Sequence, residues 1–131
     1  MAEERVVLLV EDEEPNRALL RAVLARASGD RLRGVVLVEA EDLASARQVL
    51  ATRHVDLVLL DVRLPDGNGL TLIPAGADQM VDSPRFVVLS ASVLPAERQT
   101  ALASGAAGFL AKPYRSAELI DTVAEVLDIE S

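Results

Sequence analysis

Five short, largely apolar runs, each closing on polar residues and each followed by a stretch with helical spacing, constrain most of what this chain can become. They are Val6 to Val10, Val35 to Val38, His54 to Leu60, Phe86 to Leu89 and Ala106 to Ala111. Apolar runs of this length, bounded by turn residues, suit strands buried on both faces. Between them lie five expected helices. Pro15 suits the first turn of one whose face is Leu19, Leu20, Val23 and Leu24, with Ser28-Gly29-Asp30 as its stop. Asp42 caps a second, with Leu43, Ala46, Val49 and Leu50 inward. Asn68 caps a third carrying Leu70 and Ile73. Pro74 and Gly76 predict that this one is short, kinked or interrupted before Ser83-Pro84. Pro95 opens a fourth through about Ser104, closed by Gly105. Ser116 caps a fifth, with Leu119, Ile120, Val123, Val126 and Leu127 buried.

Alternating strands and helices imply a parallel sheet covered on both faces. Right-handed crossovers leave few topologies. For five units the expected solution is an α/β doubly wound sheet of order 2-1-3-4-5, a flavodoxin-like three-layer sandwich. Its switch point lies between the first and third strands. The 131 residues fit one domain, 1–131.

Composition removes several function classes. No Cys is present, so disulfide frameworks and thiolate metal sites are excluded. A formal net charge of −8 argues against direct nucleic-acid binding, which needs clustered Lys and Arg. No charged-then-apolar leader and no membrane-length apolar run is seen, so the expectation is a soluble, cytoplasmic protein. The start at Met1 favours a stand-alone protein or an N-terminal domain.

Polar groups gather on one edge of this sheet. Glu11 and Asp12 follow the first strand, Asp61 ends the third, Ser90 the fourth and Lys112 the fifth. Taken singly, each has an ordinary reading: Asp61 as the start of a loop, Ser90 as a loop hydroxyl, Lys112 as a surface lysine, Glu11 to Glu14 as a lead into a helix N-terminus. Taken together, they converge. Carboxylates at close range repel unless a cation compensates. Magnesium suits carboxylate oxygens and shared phosphate, and no neighbouring His or Cys favours zinc or copper. Phosphoryl transfer onto Asp61 fits, with Lys112 and the Ser90 hydroxyl on the phosphoryl oxygens.

The motifs Val10-Glu11-Asp12-Glu13, Leu59-Leu60-Asp61-Val62-Arg63-Leu64-Pro65-Asp66-Gly67-Asn68-Gly69, Leu89-Ser90-Ala91 and Gly108-Phe109-Leu110-Ala111-Lys112-Pro113 resemble the response-regulator receiver domain of two-component systems. The likeness spans essentially the whole chain. It implies that Asp61 accepts a phosphoryl group from a histidine of a kinase or phosphotransfer protein. It implies that Glu11 and Asp12 organise magnesium, Asp12 directly, with Asp61 and the Arg63 carbonyl as further ligands. Ser90 and Lys112 would be the switch hydroxyl and lysine, and Lys112-Pro113 a cis bond. Phe109 would be the aromatic that rotates as Ser90 is drawn inward; its other reading is core packing. The readout would be the face of the fourth helix, fifth strand and fifth helix, toward an unidentified protein target or a second copy. The fifth helix lacks the extra basic residues by which one large DNA-binding subfamily pairs. Arg63 and Ser92 occupy positions that tune water access in the family.

Such a domain phosphorylates and dephosphorylates itself but is a switch, not a turnover enzyme. Three competitors differ by residue. A phosphate-independent binding module would have lost Asp61, Asp12 or Lys112. An Asp-nucleophile phosphohydrolase would want a second Asp where Arg63 stands. A flavin protein would cradle phosphate with small polar groups where Glu11 to Glu14 would repel it.

Overall fold

A computed structural model describes residues 4–29, 32–74, 83–91 and 94–127. Five strands, β1 (Arg5–Val10), β2 (Val35–Ala40), β3 (Leu57–Asp61), β4 (Arg85–Ser90) and β5 (Gly108–Ala111), form one sheet of order β2-β1-β3-β4-β5. Every pairing is parallel, as the alternation of elements predicts. Among the described residues the α-helices are α1 (Glu14–Ser28), α2 (Leu43–Thr52), α3 (Pro95–Ala103) and α4 (Ser116–Val126).

Side-chain alternation along the strands divides the core into two halves. Val7, Leu9, Leu57, Leu59, Val87 and Leu89 pack under α1 and α4. Val6, Leu8, Val58, Leu60, Phe86 and Val88 pack with Leu43 and Ala46 of α2 and Ala101 of α3. Both faces are covered, so the middle of the central strands β1, β3 and β4 is apolar on both sides, and the sequence runs read that way for this reason. Among the described residues no helix is long and apolar enough to cross a membrane.

Several local expectations change. Of the third expected helix, the described residues show a 3-10 turn, Gly69–Leu72, with the Asn68 side chain accepting from the Leu70 amide at 2.8 Å, and the stretch 75–82 lies outside the described residues. The fourth and fifth expected helices are therefore α3 and α4. Gly76 and Ser92 lie outside the described residues. Leu19 is 63 % exposed, because α1 buries the stripe Leu20, Leu24 and Ala27 and Leu19 stands about one residue's rotation away from it. Arg115, not Ser116, is the N-cap of α4, and the Glu118 carboxylate accepts the Arg115 amide at 3.2 Å. His54 and Asp56 precede β3 and pair with each other at 2.8 Å, away from the polar edge. Residues 63–64 and 67–68 form a small antiparallel ladder that the sequence pattern did not announce.

Candidate functional site

The strand registers carry the chemistry to one edge. Val10 pairs with Leu60, Asp61 with Leu89 and Ser90 with Ala111. Glu11 and Asp12, Asp61, Ser90 and Lys112 therefore emerge together from the carboxyl ends of four neighbouring strands, on both sides of the switch point.

Glu11 is a fully buried carboxylate, an arrangement that needs partners for each polar atom. The Glu13 amide donates to Oε1 at 3.2 Å and Lys112 Nζ to Oε2 at 3.1 Å. Its amide donates to the Ala40 carbonyl at 3.0 Å, and its own carbonyl accepts from Arg17 Nη1 at 2.7 Å. Asp12, the next residue, is exposed and lines the cavity at this edge. Lys112 also reaches Asp61 Oδ2 at 3.4 Å, while the Arg63 amide donates to Oδ1 at 3.4 Å. One carboxylate oxygen from each of Glu11, Asp12 and Asp61 lies within 4.8 Å of the others.

Burial pulls the Lys112 pKa down, but the carboxylates of Asp61 and Glu11 outweigh it and hold the ammonium above the usual lysine value. One lysine faces three carboxylates. The donor set is hard oxygen and the site keeps an excess of negative charge, so the residues present fit a magnesium ion.

The turn after Asp61 is shaped by close approach. A Cβ on Gly69 would stand 2.0 Å from the Asp61 carbonyl oxygen, so only glycine lets the chain return there. The Gly69 amide donates to the Val62 carbonyl at 2.7 Å. At the tip, Asp66 accepts from the amides of Leu43 and Ala44 at 2.8 and 3.1 Å, tying the turn to the N-terminus of α2.

On the other side, the Lys112 amide donates to the Ser90 carbonyl at 2.7 Å, and the Lys112-Pro113 bond is cis. Ser90 is buried and shares its strand face with Phe86 and Val88. Phe109 is half-buried against the same half of the core, so both point to the side covered by α3. Asp61, Arg63, Ser90, Phe109 and Lys112 line one cavity of about 700 Å³, with Leu94, the N-cap of α3, also in its wall. Glu11, Asp12, Asp61, Arg63, Ser90, Phe109 and Lys112 thus gather at one edge of the sheet, while Ser92 lies outside the described residues. The sequence carries Asp66 and Gly69 within the Asp61 motif, in the Pro65 to Gly69 turn, whereas Arg17 stands outside every motif. Arg17 had only one signal, a cation three residues after Glu14 on a helix.

Residues 7–124 match the family described as response regulator receiver domain. The chain is 40 % identical over 113 residues to the KDP operon transcriptional regulatory protein KdpE of Escherichia coli, covering 86 % of this chain and 47 % of that protein. It spans about half or less of the length of the curated relatives it matches. In fold it resembles the signal receiver domain of an HD domain-containing protein from Pseudomonas fluorescens Pf-5, with TM-score 0.80, 28 % identity and 95 % of each chain covered. It also resembles a response regulator protein from Burkholderia pseudomallei that carries a phosphorylated aspartic acid, a calcium ion and citrate. There the TM-score is 0.73 and the identity 25 %, with 94 % of this chain and 66 % of that one covered.

Proposed function

The chain belongs to the response regulator receiver family, and on that premise we propose that it is a phosphoacceptor switch in which Asp61 takes a phosphoryl group from a partner histidine. The observation that carries this reading is the Asp61 carboxylate 3.4 Å from the Lys112 ammonium and within 4.8 Å of carboxylate oxygens of Glu11 and Asp12. The Burkholderia relative, with its phosphorylated aspartic acid and bound cation, supports it.

A carboxylate oxygen of Asp61 attacks phosphorus in line. The P–N bond to the donor imidazole breaks, its electron pair returns to nitrogen, and an acyl phosphate remains on Asp61. Asp12, Asp61 and the Arg63 carbonyl would hold magnesium, with Glu11 organising the set. When bound, the ion neutralises charge on the phosphoryl oxygens and the carboxylates. Lys112 exchanges its contact with Asp61 for a phosphoryl oxygen, and the Ser90 hydroxyl donates to another. Movement of Ser90 opens space on the α3 side of the sheet, and Phe109 turns into it. The altered face is α3, β5 and α4, offered to a downstream protein or a second copy of the chain. Hydrolysis of the acyl phosphate resets the switch, and the Arg63 side chain at the cavity wall sets its lifetime. The partner is a histidine kinase or histidine phosphotransfer protein, met in the cytoplasm.

Incubation with a small phosphodonor and magnesium, followed by intact-mass measurement, tests this. One phosphoryl adduct is expected, lost in Asp61→Asn and without magnesium; an adduct that survives either change would overturn the reading. The same assay on Arg63→Asn should show a changed rate of adduct loss, and an unchanged rate removes the role given to Arg63.

A further inference from the structure

Arg17 lies within α1, outside the four motifs, yet it reaches the acid pair. Its side chain is only 13 % exposed. Nη1 donates to the Glu11 carbonyl at 2.7 Å, the carbonyl of the peptide that joins Glu11 to Asp12. Nη2 donates to Glu14 Oε2 at 2.7 Å, and Nε stands 3.6 Å from Glu39 Oε1. Both carboxylates are themselves held by Arg21, whose Nε and Nη2 meet Glu39 at 2.8 and 2.7 Å and whose Nη2 meets Glu14 at 3.3 Å. The hydrogen bonds from Arg21 keep the Glu39 carboxyl below its ordinary pKa, so the pair is ionised at neutral pH. Glu39 is fixed in β2 opposite Leu9 of β1. The guanidinium is thus anchored from α1, from β2 and from the β1–α1 turn at once.

That peptide matters because its orientation decides where two carboxylates point. Glu11 is locked at its amide, at both carboxylate oxygens and, through Arg17, at its carbonyl. Asp12 is exposed and begins where Arg17 grips. Building on the magnesium site described above, we propose that Arg17 is a positioning residue that holds the Glu11–Asp12 peptide in the orientation that binds the ion. It touches neither ion nor phosphoryl group and acts through a backbone carbonyl. Outer partners of this kind tune metal affinity by roughly ten- to a hundredfold.

Charge and geometry predict opposite signs here, which makes the role testable. Removing a cation beside an acidic site should tighten a divalent ion if Coulomb attraction were all that mattered. Losing the grip should weaken it. Titration calorimetry of Mg²⁺ into the unphosphorylated protein is run on the parent, Arg17→Met, Arg17→Lys and Asp12→Asn, each checked for folding by thermal melting. The expected result is loss of binding in Asp12→Asn, an affinity about tenfold or more weaker in Arg17→Met, and an intermediate value in Arg17→Lys, which keeps the charge but not the fork. Phosphorylation by a small donor should be slow in both Arg17 variants at low magnesium and recover at saturating magnesium. Should Arg17→Met fail to fold, Arg17→Lys decides alone. Parent-like affinity in Arg17→Lys, or tighter binding in Arg17→Met, overturns the proposal while loss in Asp12→Asn leaves the site reading intact. Undiminished binding in Asp12→Asn overturns both.

Discussion

Helix α4 puts Leu119, Val123 and Ala124 out of water, each at most 1 % exposed, whereas α3 puts only Ala101 there. The two helices have similar lengths, 11 and 9 residues, and follow and precede the same strand, β5. Burying a leucine or valine contributes about 1.5–3 kcal/mol, and a methyl group about 0.8 kcal/mol. Helix α4 is therefore anchored by several kcal/mol more than α3. Leu94 and Leu102 add to the contrast, standing 59 % and 43 % exposed at the two ends of α3. A switch needs one element that can be redeployed cheaply and another that gives it a fixed reference. Ser90 and Phe109 face the α3 side of the sheet, and Tyr114 packs with the half of the core under α1 and α4.

The largest expected effect tests the anchoring itself. Leu119→Ala should destabilise the protein by about 2–5 kcal/mol in urea unfolding, since the cavity it leaves sits in a close-packed core. Ala101→Gly should cost about 1.5–2 kcal/mol, from helix propensity and one buried methyl, less than Leu119→Ala. Equal losses would erase the distinction between the two helices.

A smaller effect separates mobility from mere weakness. Phosphorylation should change amide hydrogen exchange in α3 more than in α4. Phe109→Ala should leave the adduct on Asp61 intact by mass yet reduce the exchange change in α3 severalfold. A response confined to α4, or one indifferent to Phe109, would place the moving part elsewhere.

The same contrast explains what could be read from sequence. Strands buried on both faces must be apolar throughout, so Val6–Val10 and Leu57–Leu60 announce themselves, and their parallel order follows from the helices between them. The site residues were legible because chemistry is concentrated at strand ends: Asp12, Asp61, Ser90 and Lys112 each follow an apolar run. Leu19 misled because one helical face spans more positions than a sheet can cover. The small ladder at 63–64 and 67–68 left no signal because two-residue strands have no periodicity. Arg17 was hidden for a different reason. Its partner is a backbone carbonyl, and carbonyls carry no residue identity that a sequence could display.

The smallest effect comes from Tyr114, the only tyrosine in a chain without tryptophan. It lies between β5 and α4, and burial raises its phenol above the ordinary value of 10.0, with Lys112 opposing and the charges of Glu11 and Asp61 adding to the rise. The raised value means that the folded state favours the neutral phenol. Its contribution to stability is whole below the unfolded pKa and is lost as pH rises through the folded one. Tyrosinate absorbance in an alkaline titration should therefore appear later in the native protein than in the urea-unfolded chain. Because Tyr114 packs on the α4 side, Leu119→Ala should draw the titration back toward 10.0, while Ala101→Gly should leave it in place. If loosening α3 moved the Tyr114 titration as far as loosening α4, the two flanks of β5 would respond as one body, and α3 could not move against a fixed α4.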